Sequence, residues 1–189
     1  MTAVVLSAAS IAPQRWRNGG GQTRELFAWP AHGPWQLRIS RADIDADGPF
    51  SSFPGVTRWF AVLHGHGVVL TLAGRRQQVH ADGDALCFDG ALAPDCELLD
   101  GPTQDLNLMS TDGASVMTRA VPGVPWAAPW AMRGLYTTVA GQWRTAHQEC
   151  AVDAHALLWQ GAADTSAWTF TPEPGSCGSS WWLGFTPKG

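Results

Sequence analysis

Short alternating segments separated by glycine and proline are the feature that most restricts the fold of this chain. Its 189 residues include 21 Gly and 13 Pro, and no long segment places apolar residues at the period of a helix. Polar and apolar residues alternate strictly in residues 35–40 and 103–109. Many short strands with turns roughly every 8–12 residues are typical of an antiparallel sandwich or barrel, so we predict an all-β protein.

Other short runs, rich in β-branched and aromatic residues, are also predicted strands. They include residues 58–64, 68–72, 75–79, 135–140, 154–159 and 181–185. A short helical turn is expected at residues 43–47. A Pro-rich stretch at residues 121–129 indicates two parts: residues 1–120, with the main pocket, and residues 121–189, which complete a second, less regular barrel.

The composition restricts the classes of partner. Apolar residues make up 45% of the chain, charged residues 15%, and the net charge is −4. Such a chain can bury a substantial core, and without a cluster of basic residues it is not expected to bind nucleic acid. No window has the roughly 20 apolar residues of a membrane-spanning helix, and no signal peptide is evident. We therefore expect a cytoplasmic protein with no membrane partner.

Three consecutive glycines, Gly19, Gly20 and Gly21, form the most informative loop. Glycine loses more conformational freedom on folding than any other residue, so such a run is kept where a side chain would collide or where φ must be positive. The run follows Asn18 and precedes Thr23 and Glu25, which the period of a strand places on one face. The three backbone amides are predicted to help bind an anion in a nest-like arrangement.

Polar residues share one face on three predicted strands. The members of these faces are Thr23, Glu25 and Phe27 on the first, Arg38 and Ser40 on the second, and Asp105, Asn107 and Met109 on the third. A solvent-exposed face is the alternative, but this mixture is more typical of the lining of a small-molecule pocket. Arg58, which follows a Pro-Gly turn, and Arg38 are candidates to bind a carboxylate, because a guanidinium donates two parallel hydrogen bonds.

Metal, cofactor and nucleophile signatures are weak in this sequence. His64 and His66 could share a strand face, but no further ligand follows at a suitable spacing. The four cysteines, Cys87, Cys96, Cys150 and Cys177, have no CxxC spacing and are expected to be reduced. No phosphate-binding loop or nucleophile turn is present. We predict no metal and no cofactor.

Several motifs resemble the HutD/Ves family and occur in its order over roughly residues 3–120. The first is Trp16-Arg17-Asn18-Gly19-Gly20-Gly21-x-Thr23-Arg24-Glu25-Leu26. The others are Trp35-x-x-Arg38-Ile39-Ser40, Gly48-Pro49-Phe50-Ser51-x-Phe53-Pro54-Gly55-x-x-Arg58, Leu63-x-Gly65-x-Gly67-x-x-Leu70, Phe88-x-Gly90, and Leu99-x-Gly101-Pro102-x-x-Asp105-x-Asn107-x-Met109.

The resemblance implies a cupin-like double-stranded β-helix (jelly roll) in two fused, bicupin-like halves. It also implies an accessory or regulatory role linked to histidine utilisation, with a small acid such as formylglutamate or urocanate as the ligand. The ligand-binding residues predicted from the faces and motifs together are Asn18, Gly19, Gly20, Gly21, Thr23, Glu25, Arg38, Ser40, Arg58, Asp105, Asn107 and Met109.

Two other functions stay open at this point. A metal-independent cupin enzyme, isomerase- or hydrolase-like, could use Glu25 or Asp105 as its acid or base. The Trp-rich C-terminal part, with Trp181 and Trp182, could form a protein interface, since Trp is enriched at binding hot spots. The alternative is that these rings pack the second barrel. A homodimer is an open possibility, and the resemblance implies no established enzymatic activity.

Overall fold

A computed structural model describes residues 3–161 and 165–189, and these residues form eighteen β-strands and two short 3-10 helices, Ala8–Ser10 and Gly90–Leu92. The first strands are β1 (Val4–Ser7), β2 (Gln14–Arg15), β3 (Gly21–Trp29), β4 (Leu37–Ile44), β5 (Gly48–Pro49), β6 (Thr57–His64), β7 (Val68–Leu72), β8 (Arg75–Val79), β9 (Leu86–Asp89), β10 (Asp95–Leu98) and β11 (Thr103–Ser110). They are followed by β12 (Gly113–Arg119), β13 (Met132–Thr137), β14 (Gly141–Arg144), β15 (Glu149–Val152), β16 (Ala156–Gly161), β17 (Thr169–Pro172) and β18 (Ser180–Pro187). The all-β prediction is confirmed.

Two compact units divide the chain, Ile11–Asp112 and Met1–Ser10 with Gly113–Gly189. This division differs from the predicted one at residue 120 because the N-terminal strand and β12 both belong with the C-terminal strands. β1 pairs with β16, and β12 pairs with β18, in antiparallel register. Neither pairing follows from local sequence.

In the unit Ile11–Asp112, one sheet has the order β2-β3-β4-β11-β6-β9 and the other the order β5-β10-β7-β8. Their apolar side chains form one core cluster with Ile44, Phe60, Val62, Val68 and Leu70 among its members. Burying a side chain of this size contributes about 1.5–3 kcal/mol. The predicted helical turn at residues 43–47 is wrong: β4 runs to Ile44, and the residues after it form a bend.

The other unit contains the sheets β1-β16-β13-β18-β12 and β15-β14-β17. Indole rings fill its core. Trp126 stacks on Trp182 with ring centroids 5.3 Å apart, and Trp143 meets Trp168 edge to face at 4.9 Å. Trp181 and Trp182, the candidates for a protein interface, are 0% and 2% exposed. These tryptophans therefore pack the protein interior.

Candidate functional site

A cavity of about 650 Å³ lies in the unit Ile11–Asp112, on one face of the six-stranded sheet. Its walls come from β2 to β6, from β11 and from the loops between the early strands. The lining residues are Gln14, Arg15, Trp16, Arg17, Asn18, Thr23, Arg38, Ser40, Ala42, Ile44, Pro49, Phe50, Ser51, Phe53, Arg58, Phe60, Asn107 and Met109.

The register of three neighbouring strands places the polar floor of this cavity. On β4, β11 and β6, Ser40 lies opposite Asn107, which lies opposite Phe60. One step further along, Arg38 lies opposite Met109, which lies opposite Arg58. Residues directly opposite in a ladder share a face, so the two rows point into one space. The predicted co-facial residues Arg38, Ser40, Asn107 and Met109 all line the cavity.

Arg58 is a buried cation at this floor, with 8% of its surface exposed. Its Nε and Nη2 donate to Asn107 Oδ1 at 3.0 and 2.7 Å, and its guanidinium lies 4.3 Å from the centroid of the Phe50 ring. No carboxylate of the described residues lies within ion-pair distance of it. Burial lowers the pKa of Arg58 to about 10, Asp105 opposes this shift, and Arg38 adds to it. The side chain therefore remains cationic at neutral pH.

Three hydrogen-bond donors beside one another have no partner within the described ranges 3–161 and 165–189. They are Arg58 Nη1, Asn107 Nδ2 and Ser40 Oγ. Asn107 and Ser40 are 4% and 3% exposed. Buried polar groups are nearly always hydrogen-bonded, to protein or to an ordered water or ligand. This cluster of donors is suited to two oxygen atoms of one carboxylate.

Arg38 is a second cation at the cavity, and an ion pair with Glu25 positions its side chain. Arg38 Nε donates to Glu25 Oε2 at 2.7 Å, and the two side chains are 19% and 44% exposed. Glu25 does not itself line the cavity. A β-bulge between Glu25 and Phe27 shifts the register, so that Phe27 pairs with Ile39 rather than continuing the row of Thr23 and Glu25. The predicted common face of Thr23, Glu25 and Phe27 is therefore wrong at Phe27.

The mouth of the cavity carries more positive charge. Arg15 and Arg17 are exposed lining residues, and no ion pair forms on either within the described part of the chain. Trp16 lies between them in sequence and donates from Nε1 to Thr23 Oγ1 at 2.8 Å. Four arginines thus line the cavity, and none of its lining residues in the described structure is acidic.

The glycine loop positions Asn18 and does not line the cavity. The Gly19 amide donates to Trp16 O at 3.1 Å, and the Gly20 amide donates to Asn18 Oδ1 at 3.1 Å. These two amides are occupied, so the predicted nest of Gly19, Gly20 and Gly21 amides is not formed by this geometry. Gly21 has a packing reason instead, because a Cβ there would overlap the Asp43 carbonyl oxygen.

Asp105 lies on the same face of β11 as Asn107, one row further along the strand, and does not line the cavity. It is 0% exposed and pairs with Ala42 and Val62 on the neighbouring strands. Thr103 Oγ1 donates to its Oδ2 at 2.9 Å. Burial raises the pKa of Asp105 well above its ordinary value, against the opposing effects of Thr103 and Arg58. Because this carboxyl is fully buried and does not line the cavity, the direct contact with a ligand that the sequence predicts is not formed by this geometry.

The sequence faces did not include the aromatic walls of the cavity. Trp16, Phe50, Phe53 and Phe60 all line it. The first three lie within the motifs of residues 16–26 and 48–58, and Phe60 is two residues after Arg58 on the same strand face. The period of two in β6 was the signal that could have identified Phe60. Aromatic walls with a few polar groups are typical of small-molecule sites.

No group of three or more His, Cys, Asp or Glu side chains that could hold a metal occurs in the part of the chain that the structure describes. All four cysteines are free thiols. None of the helices in the described residues has the length and apolar character needed to cross a membrane.

Comparisons with known proteins identify the family. The HutD family model matches residues 8–172. An uncharacterized 21.2 kDa protein in the hutC 3' region of Pseudomonas putida is 36% identical over 107 residues. The match covers 56% of this chain and only 56% of that relative. Protein Ves of Cronobacter sakazakii is 26% identical over 79% of this chain and 83% of its own length.

Solved structures show the same fold. A conserved protein of unknown function from Pseudomonas aeruginosa PAO1 has a TM-score of 0.88 at 25% identity, covering 98% of this chain and 99% of that one. HutD from Pseudomonas fluorescens SBW25 has a TM-score of 0.84 at 23% identity, with all of both chains covered. The predicted cupin-like fold is confirmed. The chain belongs to the HutD family.

Proposed function

We propose that the cavity of the unit Ile11–Asp112 binds a small acidic metabolite, with one carboxylate held at the floor. Arg58 Nη1, Asn107 Nδ2 and Ser40 Oγ would donate to this carboxylate, and Arg38 would add a second positive charge. The observation that carries the proposal is the burial of Arg58 beside a neutral amide instead of a carboxylate. Guanidinium groups bind carboxylates with charge-assisted hydrogen bonds that are roughly twice as strong as neutral ones.

The size and the walls of the cavity favour a metabolite larger than a bare carboxylate. A volume of about 650 Å³ lies within the range of roughly 300–1,000 Å³ that small-molecule pockets have. The rings of Phe50, Phe53 and Phe60 offer an apolar wall. Arg15 and Arg17 at the mouth favour a second acidic group. A formylglutamate-like acid has two carboxylates, whereas a urocanate-like acid has one carboxylate and a flat ring.

The biological role we propose is accessory or regulatory and linked to histidine utilisation. It rests on membership of the HutD family and on the Pseudomonas putida relative, whose description places it in the hutC 3' region. In this proposal the arrangement is bicupin-like and cytoplasmic. The unit Ile11–Asp112 would bind the ligand, while the other unit, whose interior is filled by tryptophan rings, would be structural.

Isothermal titration calorimetry with formylglutamate, urocanate, glutamate and histidine tests the proposal. We expect at least one acid to bind. We expect Arg58→Met to lower the affinity for that acid by about 10- to 100-fold, since hydrogen bonds to charged groups contribute about 1.5–3 kcal/mol. Arg75→Gln is the matched control, because Arg75 is an exposed arginine on β8, outside the cavity. Absence of binding by all four, or equal binding by both variants, would contradict the proposal.

A metal-independent enzyme is the second candidate, and the raised pKa of Asp105 is the observation that favours it. Neither Asp105 nor Glu25 lines the cavity, so either carboxyl would have to act on the ligand through an intervening group. A carboxyl whose pKa is raised can donate a proton near neutral pH. Turnover of a bound acid, followed by proton NMR, would separate the two functions. An enzyme would convert the acid, and Asp105→Asn or Glu25→Gln would abolish conversion with binding retained. A binding protein would return the acid unchanged over many hours.

A further inference from the structure

Asp105 is a buried carboxyl, and one of its two oxygens accepts no hydrogen bond from the described residues. Thr103 Oγ1 donates to Oδ2 at 2.9 Å, but Oδ1 has no hydrogen-bond partner among the described residues. On the neighbouring strands its direct partners are Ala42 and Val62, which offer no polar side chain. An ionised carboxylate in such surroundings is costly, whereas a protonated one is tolerated.

Few charged or titratable groups act on this carboxyl from the elements around it. Arg58 on β6 favours the ionised form, and Asp43 on β4 disfavours it. On β10 the thiol of Cys96 interacts with Asp105, but burial raises the pKa of that thiol to about 12, so it stays neutral. The core residues of β7, Val68 and Leu70, are apolar. Arg58 is thus a cation that, together with the Thr103 hydrogen bond, opposes the effect of burial on the pKa of Asp105.

The cavity floor connects Arg58 to Asp105. Arg58 hydrogen-bonds to Asn107, and Asn107 is two residues from Asp105 on the same face of β11. An anion bound at Arg58 would act on Asp105 in two ways. It would offset the positive field of Arg58, and it would add a like charge nearby. Both effects disfavour the carboxylate of Asp105.

We propose that anion binding in this cavity is coupled to proton uptake by Asp105. The inference rests on the proposed function, because it requires an anion at Arg58. The bound anion remains ionised, one proton from solvent adds to Oδ1 of Asp105, and no covalent bond to the ligand forms. In the pH range where Asp105 is ionised in the ligand-free protein, the affinity for the anion then falls as pH rises. The fall is up to about tenfold per pH unit for full uptake of one proton.

Calorimetry in buffers with different ionisation enthalpies measures this proton directly. The tightest acid of the four-member panel would be titrated between about pH 7 and pH 8.5 in triethanolamine and in Tris, two cationic buffers that do not compete for an anion site. We expect the observed enthalpies to differ between the buffers in proportion to the protons taken up, and we expect Asp105→Asn to bind the acid with no such difference. Asp153→Asn, an exposed acidic site on the surface, should keep the full uptake.

Thr103→Val provides an independent variant if Asp105→Asn does not fold. The Thr103 hydroxyl stabilises the ionised form of Asp105, so its removal should move proton uptake to higher pH. Binding with identical enthalpies in both buffers at every pH would overturn the coupling while the proposed function stands. Uptake that is unchanged in Asp105→Asn or in Thr103→Val would also overturn it. Binding by none of the acids would instead remove the proposed function, and the coupling with it.

Discussion

Arg58 donates two hydrogen bonds, from Nε and Nη2, to a single atom, Asn107 Oδ1, at 3.0 and 2.7 Å. This contact fixes the orientation of both side chains. Because the side-chain oxygen of Asn107 faces Arg58, the Nδ2 donor of Asn107 is free to bind another acceptor. The Asn107 amide accepts hydrogen bonds from two of the guanidinium nitrogens and leaves the positive charge of Arg58 unneutralised. The floor of the cavity therefore keeps a positive charge and unused donors at the same place.

Asn107→Asp should stabilise the protein and remove anion binding. The new carboxylate would form an ion pair with Arg58 and would repel an incoming acid. We expect a higher melting temperature, by about 2–4 °C for each kcal/mol gained in a chain of this size. Asn107→Leu is the comparison, because it leaves Arg58 without this acceptor and should cost about 1–3 kcal/mol. A lower melting temperature of Asn107→Asp together with retained binding would contradict this account.

Asp105 should make the protein less stable as pH rises. Its pKa in the folded state is raised above the ordinary value of 3.8, so the folded state holds the proton more tightly than the unfolded chain. The contribution of Asp105 to the free energy of unfolding is fully present below about pH 4. It is lost as pH rises through the pKa of Asp105 in the folded protein. Asp105→Asn should therefore gain stability relative to the parent between pH 5 and pH 9 in denaturant titrations. A pH-independent difference would contradict the burial effect.

Asp43 should have the opposite pH dependence. Burial acts to raise its pKa, but hydrogen bonds from Arg41, Gln22 and Arg24 outweigh this effect and lower it. A lowered pKa means that its stabilisation is present above about pH 4 and is lost as pH falls through the folded value. Asp43→Asn should destabilise the protein at pH 7, and the difference from the parent should shrink below pH 4. Equal stability of the two proteins at pH 7 would exclude this network as a stabilising one.

The glycine loop offers a local test of close packing. A Cβ at Gly21 would overlap the Asp43 carbonyl oxygen, whereas at Gly20 the nearest atom, Asn18 Oδ1, would be 3.5 Å away. Gly21→Ala should therefore lower the melting temperature markedly, and Gly20→Ala should have little effect. Thermal unfolding of the two variants side by side is the measurement. Equal effects would mean that conformational freedom, rather than contact, explains the run of glycines.

Alternation along single strands was sufficient to predict part of the floor. Arg38 and Ser40 on β4, and Asn107 and Met109 on β11, share the cavity because the side-chain period of a strand is two. Period-two reasoning failed at Phe27, where a β-bulge interrupts the pattern. It also gave no account of the complete burial of Asp105, because burial on this strand face depends on how the two sheets close around it.

Long-range pairing was the part of the fold that the sequence did not predict. β1 joins the C-terminal unit through β16, more than a hundred residues away, and nothing in residues 4–7 specifies that partner. The role of the glycine loop was also missed in part. A local pattern indicates that the backbone must approach something closely, but the neighbour of Gly21, the Asp43 carbonyl, comes from the adjacent strand β4.

A crystal structure of the protein soaked with formylglutamate tests the central claim most directly, with Arg58→Met soaked in the same way as the control. The account predicts a carboxylate in the parent protein within hydrogen-bond distance of Arg58 Nη1 and Asn107 Nδ2. It predicts an empty floor in the variant. Carboxylate density only outside the cavity, or the same density in both proteins, would contradict it.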